Sequence, residues 1–195
     1  FVVIAGRKSL EAHDGATGKA LWQKEILSSM SMGDQDLFVI DGVVWPGVAQ
    51  VDENQKPSGR KSSALAIGYD LRTGEERKRV FAPNLLSPEH HHRCYRNKAT
   101  ERYIITSMEG AEFFDLQGTN HLQNNFVRGA CKYGMMPANG MLYVPPDQCF
   151  CQPGAKVLGF TAIAPVASVP ARPVPDAQRL ERGPAFGKAD SKGAE

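Results

Sequence analysis

Short apolar runs separated by polar, glycine-bearing turns make up most of this chain. Phe1-Val2-Val3-Ile4-Ala5 is a β-type run. After the turn Gly6-Arg7-Lys8, Leu10, Ala12 and Asp14 alternate with Glu11 and His13, the period of two expected of a strand. Asp14-Gly15-Ala16-Thr17-Gly18 then precedes Lys19-Ala20-Leu21-Trp22. An aspartate here can accept backbone N–H groups of its own turn, and Gly18 can take a positive φ at little steric cost. The unit is therefore strand, Asp-x-x-Thr-Gly turn, strand with Trp. Further strands are predicted at Leu37–Ile40, Val43–Trp45, Tyr103–Thr106 and Met141–Val144. No long helical periodicity competes with them.

The unit recurs. Ala66-Ile67-Gly68-Tyr69-Asp70-Leu71-Arg72-Thr73-Gly74-Glu75 repeats the turn, and Ala111-Glu112-Phe113-Phe114-Asp115-Leu116-Gln117-Gly118-Thr119 repeats it with Thr-Gly transposed. Val157-Leu158-Gly159-Phe160-Thr161-Ala162-Ile163-Ala164 reads as a fourth copy with Ala164 in the aspartate position. Asp14, Asp70, Asp115 and Ala164 are spaced by 56, 45 and 49 residues. Periods near 50 that hold several short strands are the signature of propeller blades. Residues 1–165 are thus expected to be all-β: four-stranded antiparallel blades, three to four of them, as a partial propeller. Val48 to Ser63, polar and holding Lys56, Pro57, Gly59, Arg60 and Lys61, reads as an exposed insertion between strands of the second blade.

From Pro165 the character changes. Pro165, Pro170, Pro173, Pro175 and Pro184 fall within the last 31 residues, so 166–195 is expected to be an irregular tail or linker, with one short helical turn over Asp176–Arg182. The start at Phe1, inside an apolar run without initiator Met or signal-type region, reads as a processed or excised boundary.

Composition narrows the function classes. The chain has 195 residues, with 42% hydrophobic and 23% charged, which allows a core and excludes a wholly disordered or collagen-like chain. Nothing approaches the roughly 18 apolar residues of a membrane helix. A formal net charge of +2 makes no electrostatic case for nucleic acid. Gly-x-Ser-x-Gly, Walker A and Gly-x-Gly-x-x-Gly patterns are absent.

The candidate chemistry lies in the cysteines and histidines. In an extended segment His90, His92 and Cys94 share a face and could converge on a metal, with Cys149 and Cys151 completing a soft-ligand set. A polar loop entering a strand would need no metal. The even count of four cysteines equally suits disulfides in an oxidising compartment. Cys94 and Cys131 occupy similar settings, Arg93-Cys94-Tyr95 and Cys131-Lys132-Tyr133, and corresponding positions of consecutive repeats lie side by side, so a Cys94–Cys131 bridge is the favoured pairing. Cys149 and Cys151 read as an exposed, reactive pair. Arg93, Arg96, Lys98, Arg102, Arg128 and Lys132 form a basic set, read as a solvated rim balanced by Glu101, Glu109 and Glu112. Tyr95, Tyr133, Met135 and Met136 read as core or channel lining.

Leu10-Glu11-Ala12-His13-Asp14-Gly15-Ala16-Thr17-Gly18-Lys19-Ala20-Leu21-Trp22 resembles the repeat of PQQ-like (pyrroloquinoline-quinone-like) β-propellers. The stretch from His92-Arg93-Cys94-Tyr95-Arg96 through Arg128–Gly134 to Pro145-Pro146 and Cys149-Phe150-Cys151 resembles bacterial PQQ-binding-like propeller repeat proteins. The resemblance covers about residues 1–165 and implies a propeller whose blades dock through tryptophan, with Lys78 and Gln123 in the positions of Trp22. It implies a periplasmic, cell-envelope or extracellular setting and a scaffold or binding role beside protein partners or further blades. The alternative it implies is a quinoprotein-type oxidoreductase module. In family dehydrogenases the quinone lies with a ring of adjacent cysteines, a calcium ion and an aspartate base. Phe150 separates Cys149 from Cys151 and no calcium loop stands out, so PQQ itself is not expected here.

Overall fold

The computed structural model describes residues 1–30, 35–58, 62–86, 92–148 and 156–166. His90, Cys149, Cys151 and the tail beyond Val166 lie outside them, so the expectations for those residues are not addressed by the fold. The chain divides into a unit spanning Phe1–Ala164 and a second, Pro165–Glu195. The first is all-β. Among the described residues there is no helix, hence none long and apolar enough to cross a membrane.

Among the described residues fifteen strands form four antiparallel sheets, each built from consecutive strands. The first sheet holds β1 (Val2–Ala5), β2 (Ser9–His13) and β3 (Ala20–Glu25) in chain order. The second holds β4 (Phe38–Ile40), β5 (Val43–Trp45), β6 (Ala49–Val51), β7 (Ser63–Asp70) and β8 (Glu76–Ala82). The third holds β9 (Lys98–Ala99), β10 (Tyr103–Thr106), β11 (Ala111–Asp115) and β12 (Leu122–Asn124). The fourth holds β13 (Met136–Ala138), β14 (Met141–Val144) and β15 (Thr161–Ile163).

Only the third sheet has the expected four strands: among the described residues the first and fourth have three each, and the second has five. Both β5 and β6 pair with β7, through Val43 and Val44 at its C-terminal end and Ala49 to Val51 at its N-terminal end. They are two halves of one strand position, broken at Pro46-Gly47. Proline lacks the N–H a ladder requires, and Gly47 at φ 98° turns the chain where a side chain would be strained. Val48 to Val51 are therefore not part of an exposed insertion: Val48 and Val51 are fully buried. Of the described residues in that stretch, the polar excursion starts at Asp52, whose carboxylate accepts the Asn54 and Lys56 N–H groups.

The predicted turns hold the hairpins. Asp14 Oδ1 accepts N–H bonds from Ala16 (3.1 Å) and Thr17 (2.7 Å), and Asp70 Oδ1 accepts the equivalent pair from Arg72 (2.8 Å) and Thr73 (3.0 Å). The Thr17 hydroxyl, which donates to Asp14 Oδ1 at 2.8 Å, and then these N–H bonds hold the Asp14 carboxyl below its ordinary value, and the Arg72 and Thr73 N–H groups do the same for Asp70.

Each pair of consecutive sheets closes on its own core. Leu10, Val3, Ala5 and Trp22 of the first sheet meet Val44, Ile67 and Tyr69 of the second. Val43, Trp45, Ala64 and Ala66, on the other face of the second sheet, meet Ile104 and Phe114 of the third. Ile105, Phe113 and Tyr103, on the opposite face of the third, meet Leu142, Val144 and Ile163 of the fourth. The middle sheets are thus covered on both faces. This accounts for the near-continuous apolar run Ala64-Leu65-Ala66-Ile67 in β7 against the alternation of β2.

Candidate functional site

The segments entering the third and fourth sheets meet at one junction. Tyr95 and Lys132 form a parallel bridge, and the Lys132 N–H donates to the Cys94 carbonyl at 2.6 Å. Around this bridge Arg93, Cys94, Tyr95, Arg128, Cys131 and Asp147 line a cavity of about 10 Å³. That volume holds at most one water.

Specific bonds fix Tyr95, Arg93 and Asp147 in these walls. Tyr95 is 3% exposed; its hydroxyl donates to the Gly110 carbonyl at 2.8 Å and accepts the Gly129 N–H. Burial raises the Tyr95 phenol well above its ordinary value, so it stays neutral. Arg93 Nε donates to the Glu109 carbonyl at 2.6 Å. Burial first, and then the neighbouring Arg128 cation, lower its pKa. Asp147 takes an ion pair from Lys156 at 2.9 Å. Cys94 and Cys131 are both half-buried, and Cys94 carries a free thiol.

His92 lies beside this junction in a second arrangement. Its Nε2 is 3.2 Å from Ser107 Oγ. A serine beside a histidine has the make-up of a nucleophile–base pair. Ser107, however, is fully buried, and its hydroxyl also faces the Tyr95 carbonyl (3.0 Å) and Asn97 Oδ1 (3.2 Å). No substrate reaches it. Asn97 carries the chain onward by donating from Nδ2 to Asp36 Oδ2 (2.7 Å) and the Met30 carbonyl (2.8 Å), while Ser29 Oγ donates to the same Asp36 oxygen. This row of polar groups ties the loop after the first sheet to the third sheet.

The charged residues expected on a rim divide. Glu112 is fully buried and anchors the β10–β11 turn: Oε2 accepts Thr106 Oγ1 (2.7 Å) and the Met108 N–H (2.9 Å), and Oε1 accepts the Glu109 (2.8 Å) and Gly110 (3.0 Å) N–H groups. It balances no surface cation. Arg102 pairs with the buried Asp115 at 3.0 Å. Tyr95 and Met135 are core residues as expected, but Tyr133 is 78% and Met136 62% exposed. Asn97 and Asp36 escaped the sequence reading, which placed Glu112 on the rim. Its one available signal was a carboxylate set inside the apolar run Ala111–Phe114.

An open cleft of about 450 Å³ lies elsewhere, bordered by Phe81, Leu85, Thr119, His121 and Gln123. His121 Nδ1 accepts the Asp115 N–H at 3.0 Å, and burial lowers its pKa, so the ring is neutral.

Of the expected metal ligands, His92 and Cys94 are described: His92 Nε2 lies 3.2 Å from Ser107 Oγ, and Cys94 lines the small cavity. Among the described residues no three His, Cys, Asp or Glu side chains converge as a metal site. Of these two cavities, the one beside Cys94 and Cys131 is far too small for a quinone, and the described residues that border the larger cleft include no carboxylate to hold a calcium ion. No family model matches this chain, and no curated protein matches it.

Proposed function

We propose that the chain is a non-catalytic segment of a PQQ-like β-propeller, a scaffold or binding module that packs against further blades or a protein partner in the periplasm, the cell envelope or outside the cell. The observation that carries this reading is the contrast between inner and outer sheet faces. Every face between consecutive sheets is sealed by a core. The outer face of the first sheet leaves Val2 49% and Ile4 48% exposed, and that of the fourth leaves Met136 62% exposed beside Phe160 at 67%. Apolar side chains on a sheet face call for a covering layer. Four consecutive meanders stacked face to face, with parallel approach of the segments entering the third and fourth, are what a propeller arc requires.

Two measurements test the proposal. A visible absorption spectrum with metal analysis of the purified protein is expected to be featureless and metal-free; a quinone band or stoichiometric metal supports the oxidoreductase alternative instead. Sedimentation at micromolar concentration is expected to show self-association that an Ile4→Glu, Met136→Glu variant abolishes. A monomeric wild-type chain that binds no hydrophobic dye would defeat the claim that these faces seek a partner.

A further inference from the structure

We infer that Cys94 and Cys131 are a modification site: a dithiol pair that closes into a disulfide stapling the segment entering the third sheet to the one entering the fourth. The geometry comes from the parallel bridge between Tyr95 and Lys132. One residue back on each segment places Cys94 opposite Cys131. Hydrogen-bonded neighbouring strands run about 4.8 Å apart, which lies inside the 4.4–6.8 Å Cα window of a disulfide. The Lys132 N–H bond to the Cys94 carbonyl, at 2.6 Å, holds the two backbones at that spacing. Both side chains line the same cavity, which is too small to hold a ligand between them. Both are half-buried, so neither is sealed from a reagent.

The reaction needs an oxidant of the disulfide class. One cysteine thiolate attacks a sulfur of the oxidant, its S–S bond breaks, and one oxidant thiol leaves. The second cysteine thiolate attacks the resulting mixed disulfide and expels the second oxidant thiol. Two electrons and two protons pass in all from the cysteine pair to the oxidant. Arg93 and Arg128 in the cavity wall place positive charge where the sulfurs carry negative charge in both exchanges. The closed bridge would add a covalent link beside the Lys132–Cys94 backbone bond, between the segments that lead into two sheets packed through Ile105, Phe113, Leu142 and Val144.

The test uses the full chain carrying Cys149→Ser and Cys151→Ser, so that only this pair remains. After exposure to glutathione disulfide, intact mass is expected to fall by about 2 Da relative to the reduced protein, the loss of two hydrogens in one bridge. A non-reduced tryptic digest is expected to contain Cys94–Arg96 joined to Gly129–Lys132. Oxidation is expected to raise the urea midpoint, and adding Cys94→Ser is expected to remove that shift. Two alkylatable thiols, or stable glutathione adducts without closure, would overturn the inference. In the wild-type chain, Cys131 linked instead to Cys149 or Cys151 would overturn it as well.

Discussion

The indole of Trp22 lies on Gly74. Its Nε1 donates to the Leu71 carbonyl at 3.0 Å, joining the last strand of the first sheet to the β7–β8 turn of the second. Gly74 has φ 72°, and a Cβ added there would stand 2.6 Å from Trp22 Cδ2. The turn glycine thus meets two demands, a left-handed backbone and room for an aromatic ring. Gly74→Ala is expected to cost about 2–3 kcal/mol, combining the left-handed penalty with displacement of the indole. Trp22→Phe, which keeps the ring contact and loses the hydrogen bond, is expected to cost about 1 kcal/mol. Urea unfolding followed by circular dichroism measures both; equal losses for the two would show that the glycine contact contributes nothing of its own.

Glu112 is expected to be more sensitive than any surface carboxylate. Its two oxygens accept four donors from the turn it closes. Glu112→Gln keeps the shape but turns an NH₂ toward two of those donors. A loss of about 2–3 kcal/mol is expected, as for a buried group left facing like groups. Chemical denaturation checks it, and a loss under about 0.5 kcal/mol, typical of surface changes, would contradict the anchoring role.

Asn97 bridges Asp36 and the Met30 carbonyl from inside the fold, with Asn97 4% and Asp36 4% exposed. Asn97→Ala leaves the Asp36 carboxylate with one fewer donor, at an expected cost of about 2–3 kcal/mol. The double variant Asn97→Ala, Asp36→Ala is expected to lose less than the sum of the two single changes, because the unpaired acceptor is gone. Additive losses would place the two residues in separate environments.

Acid unfolding is expected in two stages. Burial lowers the His121 pKa from its ordinary 6.5. The folded state therefore holds fewer protons than the unfolded chain, and stability present above about pH 6.5 falls as pH drops. Asp115 is held at about 2 against an ordinary 3.8, chiefly by Arg102. Its contribution is present above about pH 4 and is lost as pH falls toward 2. Arg102→Ala is expected to flatten the lower stage and leave the upper one in place, while His121→Asn does the reverse. Stability measured by urea titration from pH 7 to pH 2 resolves the stages, and an Arg102→Ala curve parallel to wild type would refute the assignment of the lower one.

The hydrophobic pattern alone located most of the hairpins. Val43–Trp45, Tyr103–Thr106 and Met141–Val144 are strands within the predicted bounds, and the Asp14 and Asp70 turns close as their residues require. The run Ala-Leu-Ala-Ile in β7, unlike Leu-Glu-Ala-His in β2, is what burial on both faces requires, but only the packed sheets show which strands are so covered. Tertiary structure decided the rest. Spacing put Gln123 in the position of Trp22, but Trp22 pairs with Ala12 and Lys78 with Gly68, and the matching partner of Phe113 is Leu122. The Asp115 turn has different internal bonds, with His121 and Asn120 taking part, and a one-residue change of register moves every side chain to the other face. Val48–Val51 looked like a loop because a three-residue strand beyond Pro46-Gly47 is too short to show a period; β7 supplies its ladder. Glu112 looked like a surface charge because nothing local to a carboxylate says whether water or four turn donors will surround it. Cys94 and Cys131 could be matched by their neighbours along the chain, but their shared cavity exists only because two segments 37 residues apart run parallel, and that contact is made by folding.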